Sequence, residues 1–568
     1  MASAATTGDL DSSNVSWRSW YGLPVLLLIA HAVLAWIGRA PGIVTREDDA
    51  RYFLLARALQ AGTYQELWSP GLPAHHMYPP GYPGLLAVWM AIGGERFSWL
   101  IVLQIVLSLA TLTLTFNAIR RWMPPVVVFS SAVTMAINPD LIRWAGEVAS
   151  EGALAFCVAL AIWAHACLPP GPRRTAIKFA AALAAPFFRA AGIVLLAALL
   201  AEWLWQRRSR AAFVAAAVFA AIIGPLLWWT LHDPSAVVGT SYSADLTFKG
   251  SSQLPLALVF VKRIYTNAQF YPMQALPWLI PLPSVQGSRI DNVIDAALVV
   301  TGLTIGMFSA TKRLRLAVLI LLASGGLVLI WPFQLQRFLL PFLPIIIVLF
   351  LFGFHALGAR FHPRLGRALV VIMATIAVVV AIPRNDARIR ELAHCDRGGS
   401  IPDQTCLSAE DRNFFRGLSV IADSLPQDAH VLAANAATMY LYTGRRGARA
   451  LTIGMLDSAR FWPRLQQTGL QYILLGALHA SEPRLSRRLL ERCTSLRLVS
   501  TISPHTYLFQ VLSASETPRS DGGAMPGAEN DSPACAALRK YREEARTGHW
   551  TLAARTGASA RRLFAARQ

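Results

Sequence analysis

The sequence predicts a polytopic α-helical membrane protein of about eleven transmembrane helices, followed by a C-terminal α/β domain outside the membrane. Three observations predict this fold class. The chain of 568 residues is 54% hydrophobic and has a mean hydropathy of +0.43, which is too apolar for an ordinary soluble enzyme. Its apolar residues gather in runs of about 20, the length that crosses a bilayer as a helix. These runs stop near residue 383, where shorter alternating patterns begin.

Each apolar run is one predicted span, and residues 20–383 form the predicted transmembrane domain. A helix satisfies its own backbone hydrogen bonds, so such runs cross lipid as helices. The stretch Pro83–Gly94 is shorter than the roughly 20 residues that a transmembrane helix needs. Its length alone does not decide whether it spans the membrane. The other spans are predicted to begin at Trp20, Phe97, Pro125, Glu151, Thr175, Ala190, Ala211, Val293, Leu314, Phe338 and Ala368.

Basic residues decide the number of spans, because Lys and Arg in short loops mark the cytoplasmic side. If Pro83–Gly94 does not cross, alternate loops between the spans lie on the cytoplasmic side. These cytoplasmic loops hold fourteen basic residues and no acid. Counting Pro83–Gly94 as a span would put the whole set outside. We therefore predict eleven spans, a cytoplasmic segment 1–19 and an external C-terminal part. The fourteen residues are Arg120, Arg121, Arg173, Arg174, Lys178, Arg207, Arg208, Arg210, Lys312, Arg313, Arg315, Arg360, Arg364 and Arg367.

The net charge of +20 is explained largely by these loops, so nucleic acid is not a predicted partner. Two long loops, 38–96 and 232–292, then face outward, as does everything after residue 383. Long outer loops are the natural place for a binding or catalytic site.

Residues 384–512 have the pattern of a small α/β domain. The predicted elements are a helix starting at Ser408 with Asp411, strands at His430–Ala434 and Gln471–Leu475, a helix at Ala436–Tyr442 closed by Gly444, and a hairpin of Leu496–Ile502 with Thr506–Leu512. Residues 513–568 are predicted to be a disordered linker and a basic tail. The alternative for the tail is a helix on an anionic membrane surface.

The cysteines divide by location. Cys157 and Cys167 fall in a predicted span and are expected to be core residues. Cys395 and Cys406 flank a loop in the outer domain and could form a disulfide in an oxidising compartment. Cys493 with Cys535 is the second candidate pair.

The first outer loop begins with three acids, Glu47, Asp48 and Asp49, at a membrane boundary. Mutual repulsion and partial desolvation raise the pKa of such carboxylates and make them better bases. The helical spacing that follows puts them at a helix N-terminus, whose macrodipole acts in the opposite direction. Asp48 and Asp49 are therefore candidate catalytic residues, and capping of an interfacial helix is the alternative role.

A second group of candidates lies at the rim of this loop and on a later span. The segment His75-His76-Met77-Tyr78-Pro79-Pro80-Gly81-Tyr82-Pro83 suits a groove for a lipid-linked ligand or a plain turn. Glu147 and Glu151 share one helical face at the outer start of a span, where carboxylates are costly and often functional. The alternative for Glu147 is an ion pair with Arg143.

Isolated cations near outer helix ends form the third group. Arg189 and Arg337 stand beside spans, and Lys249 lies in the loop 232–292 together with Lys262 and Arg263. An arginine offers a planar fork that binds phosphate through two hydrogen bonds. Each of these cations could equally extend to lipid head groups.

Four motifs in this order resemble the GT-C superfamily of membrane glycosyltransferases, in particular the bacterial relatives of protein O-mannosyltransferases and of the lipid A aminoarabinose transferase. The resemblance covers residues 20–383. Its motifs are Asp48-Asp49-x-x-Tyr52, Tyr78-Pro-Pro-Gly-Tyr-Pro83, Ser150-Glu151 and Arg337-Phe-Leu-Leu-Pro341-x-x-Pro344.

The resemblance implies a sugar donor on a polyprenyl phosphate, transfer to an acceptor hydroxyl on the periplasmic face of a bacterial inner membrane, and inversion at the anomeric carbon. Asp48 would match the family's base. Arg337, Arg189, Tyr78 and Lys249 would contact the donor phosphate. The acceptor would be a glycolipid, a polysaccharide or a protein.

The resemblance leaves the metal requirement open, with Asp49, Glu151, Glu147 and His76 as candidates to hold the acceptor or a divalent metal. The sequence also departs from the pattern, because some relatives have a lysine where Tyr78 stands. The alternatives are a membrane transporter, a polysaccharide polymerase or ligase, and a noncatalytic assembly protein.

Overall fold

The structure is a computed structural model that describes residues 22–43, 47–231, 255–283, 289–310, 314–393, 395, 406–449, 458–476, 478, 482–503, 505–512 and 532–546. The following description applies to these residues.

The region up to residue 393 is built from helices. They are α1 (Gly22–Ile37), α2 (Glu47–Gln60), α3 (Gly81–Gly93), α4 (Phe97–Ile119), α5 (Pro125–Ala136), α6 (Pro139–Ala145), α7 (Glu151–Cys167), α8 (Pro172–Phe188), α9 (Ile193–Trp205), α10 (Ser209–Leu231), α11 (Leu256–Phe270), α12 (Leu276–Leu279), α13 (Arg289–Ser309), α14 (Arg315–Ile330), α15 (Leu343–Ala359) and α16 (Pro363–Ala393). Short 3-10 segments at Ala190–Gly192 and Gln336–Phe342 lead into α9 and α15, and a π-helical turn at Tyr271–Ala275 leads into α12.

Among the residues that the structure describes, five helical segments are long and apolar enough to cross a membrane, or six if α5 and α6, bent by 52°, form one span. They are the helices of a multi-pass membrane protein. Each of the eleven predicted spans coincides with a helix, but several of these helices are shorter, so the count of eleven stays a prediction. The stretch around Pro83–Gly94 is the 13-residue helix α3. α16 continues about ten residues beyond the predicted boundary and includes Pro383.

The membrane region is organised around α15, because 83% of the residues in the apolar 18-residue stretch of Gln336–Ala359 are buried. Glycines allow α13 to pack directly against its backbone. A Cβ atom on Gly353 would lie 1.8 Å from the carbonyl oxygen of Gly302, and one on Gly306 would lie 2.0 Å from that of Leu349. Small residues permit this close approach of helices in membranes.

The loop 38–96, which we predicted to be the first outer loop, folds over one end of these helices. α2 and α3 pack together, and a short hairpin between them is closed by a bridge of Gln65 with Ala74. Tyr52, Tyr78 and Tyr82 lie in one buried apolar cluster with residues of α4 and α7. The loop is thus an ordered platform on the spans.

The C-terminal region is an α/β domain around a five-stranded sheet of order β2-β1-β3-β5-β4. β1 pairs in parallel with β2 and β3, whereas β3–β5 and β4–β5 are antiparallel. The strands are β1 (Val431–Ala433), β2 (Gly447–Arg449), β3 (Tyr472–Leu475), β4 (Leu496–Ser503) and β5 (Thr506–Val511), and the helices are α17 (Ala409–Ser424), α18 (Ala436–Thr443), α19 (Ser458–Gln467), α20 (Glu482–Leu490) and α21 (Pro533–Arg546).

The elements that we predicted for this domain are confirmed. Ser408 caps α17 by accepting a hydrogen bond from the Asp411 amide. Gly444 ends α18 in the left-handed conformation, at φ 70°, which glycine adopts without steric cost. The two segments that predicted the hairpin, Leu496–Ile502 and Thr506–Leu512, form the paired strands β4 and β5.

Both candidate disulfides form, Cys395–Cys406 and Cys493–Cys535, with Cα–Cα distances of 5.5 and 5.1 Å. The second bond holds α21, which lies within the segment 513–568 that we predicted as linker and tail. The apolar side of α21 is covered by the domain, because Leu538 and Tyr541 are fully buried there. Cys157 and Cys167 carry free thiols.

The α/β domain also contacts the first outer loop directly. Ala436 and Ala437 of α18 are buried in the same apolar cluster as α2. The Tyr442 hydroxyl donates a hydrogen bond of 3.1 Å to the Ile43 carbonyl, and the Gly447 amide donates one of 2.7 Å to the Trp68 carbonyl. The domain therefore packs against the helix that carries Asp48.

The predicted sidedness can be tested with reporter fusions. Alkaline phosphatase joined after Arg390 is expected to be active and the same enzyme joined after Arg210 inactive, because its disulfides form only outside the cytoplasm. A reporter active in the cytoplasm provides the matched control and should give the opposite pattern. Phosphatase activity at Arg210 with none at Arg390 would contradict the eleven-span topology.

Candidate active site

Asp48 lies in the first turn of α2, where the helix macrodipole favours a negative charge. Its Oδ2 accepts a hydrogen bond of 2.7 Å from Nη1 of Arg337, at the start of the segment that leads into α15. Its Oδ1 accepts one from the Tyr78 hydroxyl. Both members of the ion pair are about one-fifth exposed, at 22% for Asp48 and 21% for Arg337. A ligand can therefore reach this pair.

The pKa of Asp48 depends on opposing effects. Burial favours the protonated form, but Arg337, the Tyr78 hydrogen bond, Arg51 and Arg189 together outweigh it and hold the pKa well below its ordinary value of 3.8. From the sequence we expected repulsion and desolvation to raise this pKa and the helix macrodipole to oppose them. The cations, chiefly Arg337, decide the balance instead, and Arg337 and Arg189 are distant from Asp48 in the sequence. The lowered pKa makes these interactions stabilising at all pH values above 3.8, and the stabilisation is lost only as the pH falls through the lowered pKa.

A second ion pair lies beside the first. Arg189, at the end of α8, places Nη1 3.0 Å from Oε1 of Glu151 and donates a hydrogen bond of 3.0 Å to Oγ of Ser150. The Ser150 hydroxyl also shares a hydrogen bond of 2.9 Å with the Tyr52 hydroxyl. The two cations flank one aromatic ring, because the guanidinium carbons of Arg189 and Arg337 are 5.8 and 5.9 Å from the Phe338 centroid.

Aromatic rings form the wall behind Asp48. The Tyr52 ring lies 4.9 Å from that of Tyr78 and 4.8 Å from that of Tyr82, measured between centroids. Burial, and then the negative charge of Asp48, raise the pKa of Tyr78, so its hydroxyl stays protonated and donates to Asp48. Arg51 is buried next to this wall, with its guanidinium 5.9 Å from the Tyr78 centroid.

The structure brings together Asp48, Tyr78, Arg337, Arg189 and Glu151, all of which the sequence nominated. The span-start serine, Ser150, was part of a motif but had no assigned role. Arg51 was missed, although its position three residues after Asp48 on a helix could have indicated it.

Other candidates lie elsewhere. Asp49 is buried and raises the pKa of Tyr442 in the α/β domain, after the larger effect of burial. Glu147 pairs with Arg143 at 2.9 Å, the alternative role given above, and with Arg388 at 3.3 Å.

His76 contacts Trp229: its Nδ1 lies 3.0 Å from the carbonyl oxygen, and its Nε2 accepts from the indole at 3.2 Å. Lys249 lies outside the described residues.

The donor set of this site does not fit a metal ion. Asp48 is held by Arg337 and Tyr78, and Glu151 faces Arg189. Within the described ranges, no group of three or more His, Cys, Asp or Glu side chains is placed to hold one. The arginines instead present hydrogen-bond donors and positive charge, which suit an anionic ligand.

The arrangement of helices is similar to that of solved membrane glycosyltransferases. ArnT from Cupriavidus metallidurans in the apo state matches with a TM-score of 0.52 and 14% identity, over 88% of this chain and 99% of that chain. ArnT from the same organism bound to undecaprenyl phosphate matches with 0.50 and 14%, over 88% and 100%. The oligosaccharyltransferase AglB from Archaeoglobus fulgidus, in complex with an inhibitory peptide and a dolichol-phosphate, matches with 0.52 and 12%, over 89% and 76%.

No protein-family model matches the sequence, and no curated protein matches it. The structural similarities confirm the predicted resemblance at the level of the fold, since all of these structures are GT-C glycosyltransferases.

Proposed function

We propose that this protein is an inverting glycosyltransferase that moves a hexosyl or pentosyl group from a polyprenyl-phosphate donor to an acceptor hydroxyl on the periplasmic face of a bacterial inner membrane. One observation carries the proposal: a partly exposed carboxylate, Asp48, lies between Tyr78 and Arg337, with Arg189 close by. The GT-C fold supports it, as do the lipid phosphates bound by ArnT and AglB.

Arg337 and Arg189 would hold the donor phosphate. The Arg337 side chain is about one-fifth exposed and contacts Asp48 through Nη1, so a phosphate can reach this guanidinium and compete with Asp48 for it. Charge-assisted hydrogen bonds from arginine to phosphate are strong and specific. In a site of low dielectric they also stabilise the negative charge that builds on the departing phosphate.

Donor binding would also activate the base. In the donor-free protein Asp48 is ionised but paired, and its lowered pKa makes it a weak base. A phosphate that takes Arg337 away removes the largest effect that lowers this pKa. The pKa of Asp48 then rises towards the range in which a carboxylate removes protons effectively.

The transfer step is one displacement. Asp48 takes the proton from the acceptor hydroxyl while the acceptor oxygen forms its bond to the anomeric carbon. The bond between that carbon and the phosphate oxygen breaks, and its electron pair stays on the polyprenyl phosphate. Attack opposite the leaving group inverts the anomeric centre, and no sugar–enzyme bond forms.

A transporter would place ionisable residues deep within its spans. The buried cluster of Glu202 with Lys178 and His165, at 2.7 and 3.0 Å, lies instead within the two helical turns nearest the predicted cytoplasmic side. A polysaccharide polymerase or ligase would catalyse related chemistry, and identification of the acceptor would distinguish it.

Mass analysis of envelope glycans and glycolipids, from cells with and without the gene, tests this function. We expect one or more species to lose a single hexose or pentose unit in the deletion strain and to regain it on complementation. Identical glycan and glycolipid profiles in the two strains, under conditions in which the protein is produced, would refute the proposal.

A further inference from the structure

The hairpin between α2 and α3 contains a buried polar group that the transfer step does not use. Glu66, Ser69 and His75 are 7%, 1% and 1% exposed. The Ser69 hydroxyl donates a hydrogen bond of 2.7 Å to Oε2 of Glu66. Polar side chains this deeply buried are costly unless their hydrogen bonds are satisfied, so their partners indicate what they do.

His75 connects Glu66 to Tyr78. Its Nδ1 lies 2.9 Å from Oε1 of Glu66, and its Nε2 lies 2.8 Å from the backbone nitrogen of Tyr78. The amide can only donate, so Nε2 accepts and Nδ1–H donates to the carboxylate. This tautomer requires a neutral ring, and burial lowers the pKa of His75 below its ordinary value of 6.5.

The same tyrosine is also held at its other end. The Tyr78 hydroxyl donates to Asp48, its carbonyl accepts a hydrogen bond of 2.8 Å from the Tyr64 hydroxyl, and its ring stacks at 5.3 Å on the His75 ring. The Tyr78 backbone therefore cannot shift without breaking the contact to His75. Hydrogen bonds thus link Glu66 to His75 and His75 to the Tyr78 backbone, and the hydroxyl of the same tyrosine reaches Asp48.

We propose that Glu66 and His75 are positioning residues, which fix Tyr78 so that its hydroxyl orients the Asp48 carboxylate towards the acceptor. This role rests on the proposed function. His75 is not itself the base, because its Nε2 is already bonded to the Tyr78 amide and its side chain is closed to solvent. The hydrogen bond to Glu66 fixes the tautomer of His75, so that Nε2 is the acceptor for the Tyr78 amide.

The hairpin is anchored on its far side as well. The Trp68 carbonyl, in the turn between Glu66 and Ser69, accepts the hydrogen bond from the Gly447 amide of the α/β domain. The chain of contacts thus extends from that domain to Asp48. The α/β domain therefore helps to hold the hairpin, and through it Asp48, in place.

The test compares nonpolar and conservative variants of the two residues. His75→Leu and Glu66→Leu remove the hydrogen bonds, whereas His75→Gln and Glu66→Gln keep acceptors for the Tyr78 amide and the His75 ring. We expect the leucine variants to lower kcat by about 10²-fold, the scale of a displacement near 1 Å, with little change in donor KM. The glutamine variants should recover most of the loss. Ala74→Ser, at an exposed position of the same hairpin, is the matched control.

Hydrogen exchange of the Tyr78 amide is the second readout, because it reports the His75 contact without requiring turnover. Exchange should be fast in the leucine variants and slow in the wild type and in His75→Gln. If His75→Leu exchanges fast but keeps the wild-type kcat, or loses kcat with no change in exchange, the positioning role is overturned. If the leucine variants do not fold, a glutamine variant with faster exchange and unchanged kcat overturns that role equally. A wild-type protein that transfers no sugar would refute the proposed function and leave the exchange results standing.

Discussion

Replacing Asp48 by asparagine is expected to lower glycosyl transfer by about 10²–10⁴-fold, the contribution typical of a general base. An amide has the same shape as the carboxylate but cannot take the proton of the acceptor. Its oxygen can still accept the hydrogen bond from Arg337, and its NH2 group can donate to the Tyr78 hydroxyl oxygen. Both partners of Asp48 in the structure are thus retained, so the site should keep its shape. Transfer by purified protein, with a polyprenyl-phosphate sugar and the acceptor found by envelope analysis, measures the effect.

The matched control is Asp386→Asn. Asp386 forms an exposed ion pair with Arg390, at 50% and 76% exposure, so it reproduces the chemical change away from the site. Expression, membrane insertion and thermal stability should be normal in both variants. Wild-type transfer rates in Asp48→Asn would remove Asp48 from the role of base.

Replacing Arg337 by glutamine is expected to weaken binding of undecaprenyl phosphate by about 10–100-fold, because a hydrogen bond to a charged group contributes about 1.5–3 kcal/mol. Transfer should fall by about 10²–10³-fold, the usual cost of losing one donor to a developing negative charge. Arg337→Lys should recover only part of both losses, because the planar fork is absent from lysine.

Arg390→Gln removes the same charge from the exposed pair and should leave lipid binding and transfer unchanged. Binding can be followed by the rise in thermal stability that a ligand produces. An Arg337→Gln variant that binds undecaprenyl phosphate as tightly as the wild type would show that the phosphate is held elsewhere.

Much of this organisation could be predicted from the sequence because its signals are local. Apolar runs, basic loops, the Ser408 cap and Gly444 each act over a few residues. The predicted helices coincide with helices of the structure, and the α/β elements that we predicted fall within one or two residues of their predicted positions. The strand β2 and the helices α19, α20 and α21 were not predicted. Five of the proposed site residues were nominated from local patterns. Asp48 belongs to the run of acids, Tyr78 to the aromatic rim segment and Glu151 to a span start, and Arg189 and Arg337 are isolated cations beside spans.

The electrostatics of the site could not be predicted in this way. Asp48 and Arg337 are 289 residues apart in the chain, so only the folded packing of α2 against the segment before α15 shows that they pair. The neighbouring acids alone did not show the direction of the Asp48 pKa. Asp49 and Glu147 were also nominated as acids near predicted helix starts. In the structure, however, Asp49 acts on the pKa of Tyr442, and Glu147 forms an ion pair with Arg388.

The pair of Glu66 and His75 was hidden for a related reason. The two residues are nine positions apart in a loop with no periodic pattern, and their contact depends on the hairpin closed by Gln65 and Ala74. The α/β domain could be recognised from its own pattern, but its packing on α2 is a property of surface shape, which the sequence does not display.

A cryo-EM structure with undecaprenyl phosphate bound tests the central claim most directly. We predict that the phosphate lies within hydrogen-bonding distance of the Arg337 guanidinium and near Arg189, and that the contact between Arg337 and Asp48 is broken or lengthened. A phosphate bound away from both arginines, with the 2.7 Å contact between Arg337 and Asp48 intact, would contradict it.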